Sequence, residues 1–189
     1  MDPAPETARS VFVIRHGEKP GANDQPPCGV DLDGNRCDDS LVPVGWQRAG
    51  AIAQLFRREG RGLAVPTRLV APSYGKPDRH RTHQTILPLS LLLDLSIESK
   101  YEVGQEEQLG AELARATSGV TLVCWEHHRI PAIAGSLAPG AEVPQRWPDD
   151  RFDMVWAFER DPEKPLSAFT QIPEMLLPGD SEQVFPRSG

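Results

Sequence analysis

Val11-Phe12-Val13-Ile14 is a run of four apolar residues that stops abruptly at Arg15-His16-Gly17-Glu18-Lys19. Such a run, mostly β-branched, reads as a buried strand. In an open α/β sheet, ligands bind in the crevice beyond the carboxyl ends of the strands. A histidine flanked by arginine and glycine at such an end is placed for chemistry, as nucleophile, acid/base or metal ligand. The competing reading is a strand followed by a polar turn, and only the rest of the chain decides between them.

Further elements follow the same pattern. A helix is expected from about Val44 to Glu59, its apolar stripe set by Gly45, Ala49, Ile52 and Phe56 and its stop by Gly60 and Gly62. Thr67–Ala71 is a short strand. Asp78-Arg79-His80-Arg81-Thr82-His83-Gln84-Thr85 leads into an apolar helix, Ile86 to Leu93, with Pro88 near its first turn or kinking it. An amphipathic helix is expected from about Gln105 to Ala116, with Glu106 and Glu107 suiting its N-terminus. Val120–Trp125 is a strand ending in Glu126-His127-His128-Arg129, and a helix begins directly after it. Phe152–Phe158 and Leu166–Ile172, separated by the turn 161–165, form an antiparallel hairpin at a sheet edge.

Strands alternating with helices predict a three-layer α/β/α fold with a mainly parallel central sheet and an antiparallel edge hairpin near the C-terminus. The 189 residues suit one domain with a loose tail at 1–10. No apolar run approaches the ~20 residues of a membrane span, and Met1–Glu6 lacks the regions of a signal peptide, so a cytoplasmic protein is expected. With a net charge of −7, no global field recruits nucleic acid or anionic membrane, and an anion site has to be a local arginine cluster. Cys124 lies in an apolar strand; Cys28 and Cys37 bracket a polar loop without zinc-site spacing and stay reduced in a cytoplasmic protein. Asp31-Leu32-Asp33-Gly34-Asn35 lacks the distal glutamate of a calcium loop and reads as Asx and Gly turns.

All five histidines fall at the carboxyl ends of the expected strands: His16, then His80 and His83, then His127 and His128. A metal site and a phosphoryl site both fit clustered imidazoles. Arg15, Arg81 and Arg129 neighbour those histidines, repelling a metal ion and attracting an anion, so charge favours phosphate.

Ile14-Arg15-His16-Gly17-Glu18, Leu41–Ala49, Ser73, Arg81-Thr82-His83-Gln84-Thr85 and the strand ending in His127 together resemble the histidine phosphatase superfamily, the branch that also holds cofactor-dependent phosphoglycerate mutases. The pieces occur in the family's order over residues 11 to about 137. The resemblance implies a metal-independent phosphomonoesterase, needing no cofactor, that acts on a phosphorylated small molecule or phosphoprotein. It makes His16 the nucleophile and gives Arg15, Arg81 and His127 the phosphoryl oxygens, with His127 protonated or donating beside Glu126. Glu106, ahead of Glu102, Glu107 and Glu126, is the candidate proton donor; a plain helix-start acid is its alternative role. Arg79 rivals Arg81 because residues 75–78 look inserted, but only Arg81 keeps the three-residue spacing to Gln84. His80, His83 and His128 are expected at the rim. Phosphoglycerate mutase activity and a non-catalytic phosphate-binding module are the alternatives. The acidic loop after Glu18 argues against the mutase, and the presence of His16 against the module. Substrate choice is expected to lie in loops 19–40 and 74–80, with Trp147 a candidate pocket wall.

Overall fold

β1 (Ser10–Arg15) is buried along its whole length and runs through the middle of a six-stranded sheet. A computed structural model describes residues 10–21, 25–76, 80–116, 118–159 and 168–187. The expected turn at 161–165, the tail before Ser10 and Arg79 lie outside the described residues. The other strands are β2 (Arg68–Val70), β3 (Ile97–Glu98), β4 (Val120–Trp125), β5 (Met154–Glu159) and β6 (Ala168–Pro173). The helices are α1 (Pro43–Phe56), α2 (Arg81–Leu93), α3 (Glu106–Arg115) and α4 (Ile130–Leu137).

The strand order is β3-β2-β4-β1-β5-β6. The first four run parallel, whereas β5 and β6 pair antiparallel, β5 against β1. The expected three-layer architecture is therefore the observed one, with β6 as the antiparallel edge. β3, only two residues long, carries no periodic signal and was not foreseen from sequence.

Alternation along the central strands divides the interior into two cores. Val11, Val13, Val123 and Trp125 point to α3 and α4, where Leu109, Leu113, Ile130 and Ile133 meet them. Phe12, Ile14, Leu122 and Cys124 point to α1 and α2, against Ile52, Phe56, Ile86 and Leu89. Because both faces of β1 and β4 are covered, the interior positions of both strands are apolar except Thr121. Among the described residues no helix is long and apolar enough to cross a membrane.

α2 starts at Arg81, a full turn before the expected Ile86, and contains Pro88 in its interior. The face it buries in that first turn is polar, made of Thr82, Gln84 and Thr85, so apolar periodicity does not reveal it. Trp147, expected as a pocket wall, is fully buried and packs on Trp156 and Phe185.

Candidate active site

β1 and β4 are parallel neighbours in register, Arg15 opposite Trp125, so both deliver their next residues to one edge of the sheet. The His16 backbone N–H still donates to the Trp125 carbonyl, at 3.3 Å. His16 and His127 then meet edge to face, ring centroids 6.1 Å apart. Nδ1–H of His16 donates to the Gly17 carbonyl at 2.7 Å, which leaves Nε2 with an unshared lone pair. Burial pushes the imidazole pKa well below its usual value, against the raising effect of the Gly17 bond; Arg15, Arg81 and His127 push it further down. His16 is thus a neutral imidazole at pH 7, with its lone pair on Nε2.

Arg15 is fully buried beside it. Its Nη1 donates to three main-chain carbonyls, those of Pro148 (3.2 Å), Asp149 (2.8 Å) and Arg151 (2.8 Å). The guanidinium carbon lies 3.8 Å from the centroid of the Phe152 ring, whose other neighbour is His16. Nε and Nη2 are buried without a partner. A buried donor without a partner is costly, and a guanidinium edge with two such donors is suited to the paired oxygens of an anion. Burial lowers the guanidinium pKa to about 10, and it stays charged at neutral pH.

His127 closes the other side. Its Nε2–H donates to Asp149 Oδ1 at 3.0 Å, and its Nδ1 is buried without a partner. Burial, followed by Arg15, lowers its pKa to about 4, although Asp149 works in the opposite direction. The carboxylate that meets His127 is therefore Asp149, not the adjacent Glu126. Asp149 reaches it from a loop 22 residues downstream. Sequence reasoning missed this residue, because nothing in the 145–153 loop marks it.

Arg81 opens α2 and donates Nη1 to the Asp38 carbonyl at 2.9 Å; its backbone N–H donates to the Asp39 carbonyl. The rest of the Arg-x-x-Gln-Thr motif builds the platform under His16 and Gly17. Thr85 Oγ1 accepts the Gly17 N–H at 2.8 Å and donates to the Arg81 carbonyl. Gln84 accepts the Leu41 N–H and donates to Ser40 Oγ, each at 2.8 Å. Gly45 completes the platform: a Cβ there would stand 2.6 Å from the Glu18 carbonyl oxygen, so α1 can approach the chain after His16 only with glycine.

Arg48, buried on α1, lies under this platform among Glu18, Glu174 and Asp180, at 2.8, 3.0 and 2.7 Å. Glu18, Arg48 and Asp180 also line a cavity of about 280 Å³ that reaches Phe152. Three carboxyl groups around one guanidinium do not all ionise, and Glu174, fully buried, keeps the proton; burial raises its pKa to about 8.

The remaining expected residues divide plainly. Glu106 is buried, and its carboxylate accepts N–H bonds from Gly104 and from Trp125 Nε1 (3.0 Å), which ties α3 to β4. Glu102 is exposed next to Tyr101, whose carbonyl accepts the Ser73 N–H beyond β2, and its carboxylate has no partner among the described residues. His83 donates Nε2–H to the Pro72 carbonyl, and His80 stacks on Tyr74 at 3.7 Å, so both support the rim. Asp31 Oδ1 accepts the backbone N–H groups of Asp33 and Asn35, the expected Asx turn. All three cysteines are free.

No protein-family model matches the chain, and no curated protein is similar to it in sequence. Solved structures share its fold. SixA, a protein histidine phosphatase complexed with tungstate, aligns over 87% of this chain and 97% of its own, with 20% identity and a TM-score of 0.54. A phosphoglycerate mutase from Plasmodium falciparum aligns over 95% and 99%, with 11% identity and a TM-score of 0.53. A phosphoserine phosphatase from Entamoeba histolytica aligns over 85% and 96%, with 13% identity and a TM-score of 0.50. The chain has the fold of the histidine phosphatase superfamily.

Proposed function

We propose that the chain is a phosphatase that hydrolyses phosphomonoesters through a phosphohistidine on His16. One observation carries this reading: a neutral imidazole with a free Nε2 lone pair stands beside a buried arginine fork whose Nε and Nη2 have no partner. Neutral Nε2 attacks phosphorus, and the bond from phosphorus to the ester oxygen breaks. The Gly17 carbonyl holds the Nδ1 proton as positive charge develops on the ring. Arg15, Arg81 and a protonated His127 take the equatorial oxygens, where charge accumulates in the transition state. Water then attacks the phosphohistidine, the N–P bond breaks, and inorganic phosphate leaves with His16 neutral again. Positive charge comes from guanidinium and imidazolium groups, so the scheme calls for no metal or cofactor.

The ester oxygen needs a proton. Glu106, first choice from sequence, is committed to Gly104 and Trp125, whereas Glu102 stands exposed at the same edge with no carboxylate partner among the described residues. Glu102 is the better donor on that ground. Glu102→Gln is expected to slow alkyl phosphates much more than p-nitrophenyl phosphate, whose leaving group needs little protonation. An equal loss on both would remove it from that role.

The similar solved proteins handle phosphohistidine, phosphoserine and phosphoglycerate, which supports a phosphorylated small molecule or phosphoprotein as substrate. Hydrolysis is favoured over mutase chemistry because the loop after Glu18 offers Lys19 and Arg36 against Asp24, Asp31, Asp33, Asp38 and Asp39. Hydrolysis of p-nitrophenyl phosphate tests the reading: turnover is expected to survive EDTA and to vanish in His16→Ala. Loss in EDTA with restoration by zinc would overturn the metal-independent scheme. No turnover of any phosphomonoester would leave a binding module instead.

A further inference from the structure

His127 and His128 leave the end of β4 with their rings stacked, centroids 3.8 Å apart and planes tilted by 36°. Both present Nε2 to one atom, Asp149 Oδ1, at 3.0 Å from His127 and 3.8 Å from His128. One ligand atom from each of the three residues lies within 4.8 Å of the other two. A tetrahedral zinc ion with bonds of 2.0–2.2 Å holds its ligand atoms about 3.3 Å apart. The two measured separations bracket that spacing. The side chains that would close the gap are the exposed ones, His128 at 55% and Asp149 at 59%, while His127 is buried just past the strand end. Asp149 meets Arg146 through its other oxygen, Oδ2, so Oδ1 is not shared with that guanidinium.

We propose that His127, His128 and Asp149 form a binding site for a zinc-class divalent ion, and that occupancy inhibits the enzyme. Two imidazoles and one carboxylate select zinc, nickel or copper over magnesium and calcium, which prefer oxygen ligands. Three protein ligands leave a coordination position open. A phosphoryl oxygen entering that position is held by the metal rather than by Arg15 and Arg81 in line with His16. His127 Nε2 is also taken from Asp149, so the reaction's phosphate-binding histidine and the metal site cannot operate independently. The guanidinium groups of Arg15 and Arg146 nearby oppose a dication and keep the affinity micromolar rather than picomolar. Metal binding itself stands on the three side chains alone; the inhibition rests on the phosphatase reading.

Titration calorimetry of the intact protein with Zn²⁺ in a non-chelating buffer separates the two parts. One equivalent is expected to bind with micromolar affinity, with no binding of Mg²⁺. His128→Ala is expected to weaken Zn²⁺ by at least ~10-fold, the loss that even an outer-shell partner's removal produces. His128→Ala should also hydrolyse p-nitrophenyl phosphate normally and resist micromolar Zn²⁺ that inhibits the unmutated enzyme. Identical Zn²⁺ isotherms for the two proteins, or no binding below millimolar, would overturn the site whatever the enzyme's activity. Zn²⁺ bound through His128 without any change in turnover would overturn the inhibition and leave the phosphatase reading untouched.

Discussion

The bond from His127 Nε2–H to Asp149 Oδ1, 3.0 Å long, decides the state in which His127 waits for a ligand. With that proton on Nε2 and the pKa lowered to about 4, Nδ1 is an acceptor at neutral pH, buried and unpartnered. A phosphoryl group presents only acceptors. In the proposed role, binding of a fully ionised phosphoryl group brings a proton to Nδ1, and Asp149 is placed to stabilise the imidazolium that results.

Binding of a phosphate analogue such as tungstate at pH 7 is accordingly expected to take up close to ~1 proton, since His127 changes from neutral to cationic. Calorimetry in buffers of different ionisation enthalpy measures the uptake. Asp149→Asn removes the counter-charge from an exposed position and is expected to weaken the analogue about tenfold, within the range for a hydrogen bond to a charged group. It should leave thermal stability nearly unchanged. Binding without proton uptake, unaffected by Asp149→Asn, would show that His127 contributes no donor.

Arg15 and Arg81 are expected to separate by their structural load. Arg15 holds three carbonyls of the 148–151 loop, so Arg15→Ala strands buried acceptors and should lower both melting temperature and activity. Arg81, half-exposed and bonded to one loop carbonyl through its side chain, should lose ~10²–10³ in kcat as Arg81→Ala with little change in melting temperature. Equal destabilisation of the two variants would contradict these assignments.

Glu174 sets the alkaline side of the stability profile. Its pKa is raised to about 8 by burial, reinforced by Asp180 and Asp153 and opposed by Arg48. The folded chain thus keeps a proton that the unfolded chain releases near the usual carboxylate pKa. The corresponding stability is complete below that range and falls as pH rises toward 8. The melting temperature is expected to decline between pH 6 and 8.5, and Glu174→Gln to flatten that slope. A decline that persists in the variant would locate it elsewhere.

What the sequence reveals follows from what kind of contact does the work. β1, β4 and the apolar stripe of α1 are legible because burial on both faces or one face imposes a period. His16, Arg15, Arg81 and His127 are legible as candidates because the proposed chemistry calls for those side chains at strand and helix ends. The fork of Arg15 is held by backbone carbonyls of residues 148, 149 and 151, which leave no trace in side-chain identity. Asp149 is hidden for the same reason: its loop is ordered by main-chain acceptors and by Trp147, whose Nε1 donates to the Arg151 carbonyl. Glu106 shows the converse, a carboxyl in a suggestive position that tertiary contact turns into a tie. The early start of α2 belongs with these, since its buried first turn packs polar side chains on the backbone around Gly17 and Leu41.

If His16 is the nucleophile, a phosphoenzyme can be trapped on it. After rapid acid-free quenching of turnover on a labelled phosphomonoester, peptide mass spectrometry should locate one phosphoryl group on His16, stable in base and lost in acid. His16→Ala should form none. A phosphoenzyme that persists in His16→Ala, or rapid turnover in that variant, would contradict the account.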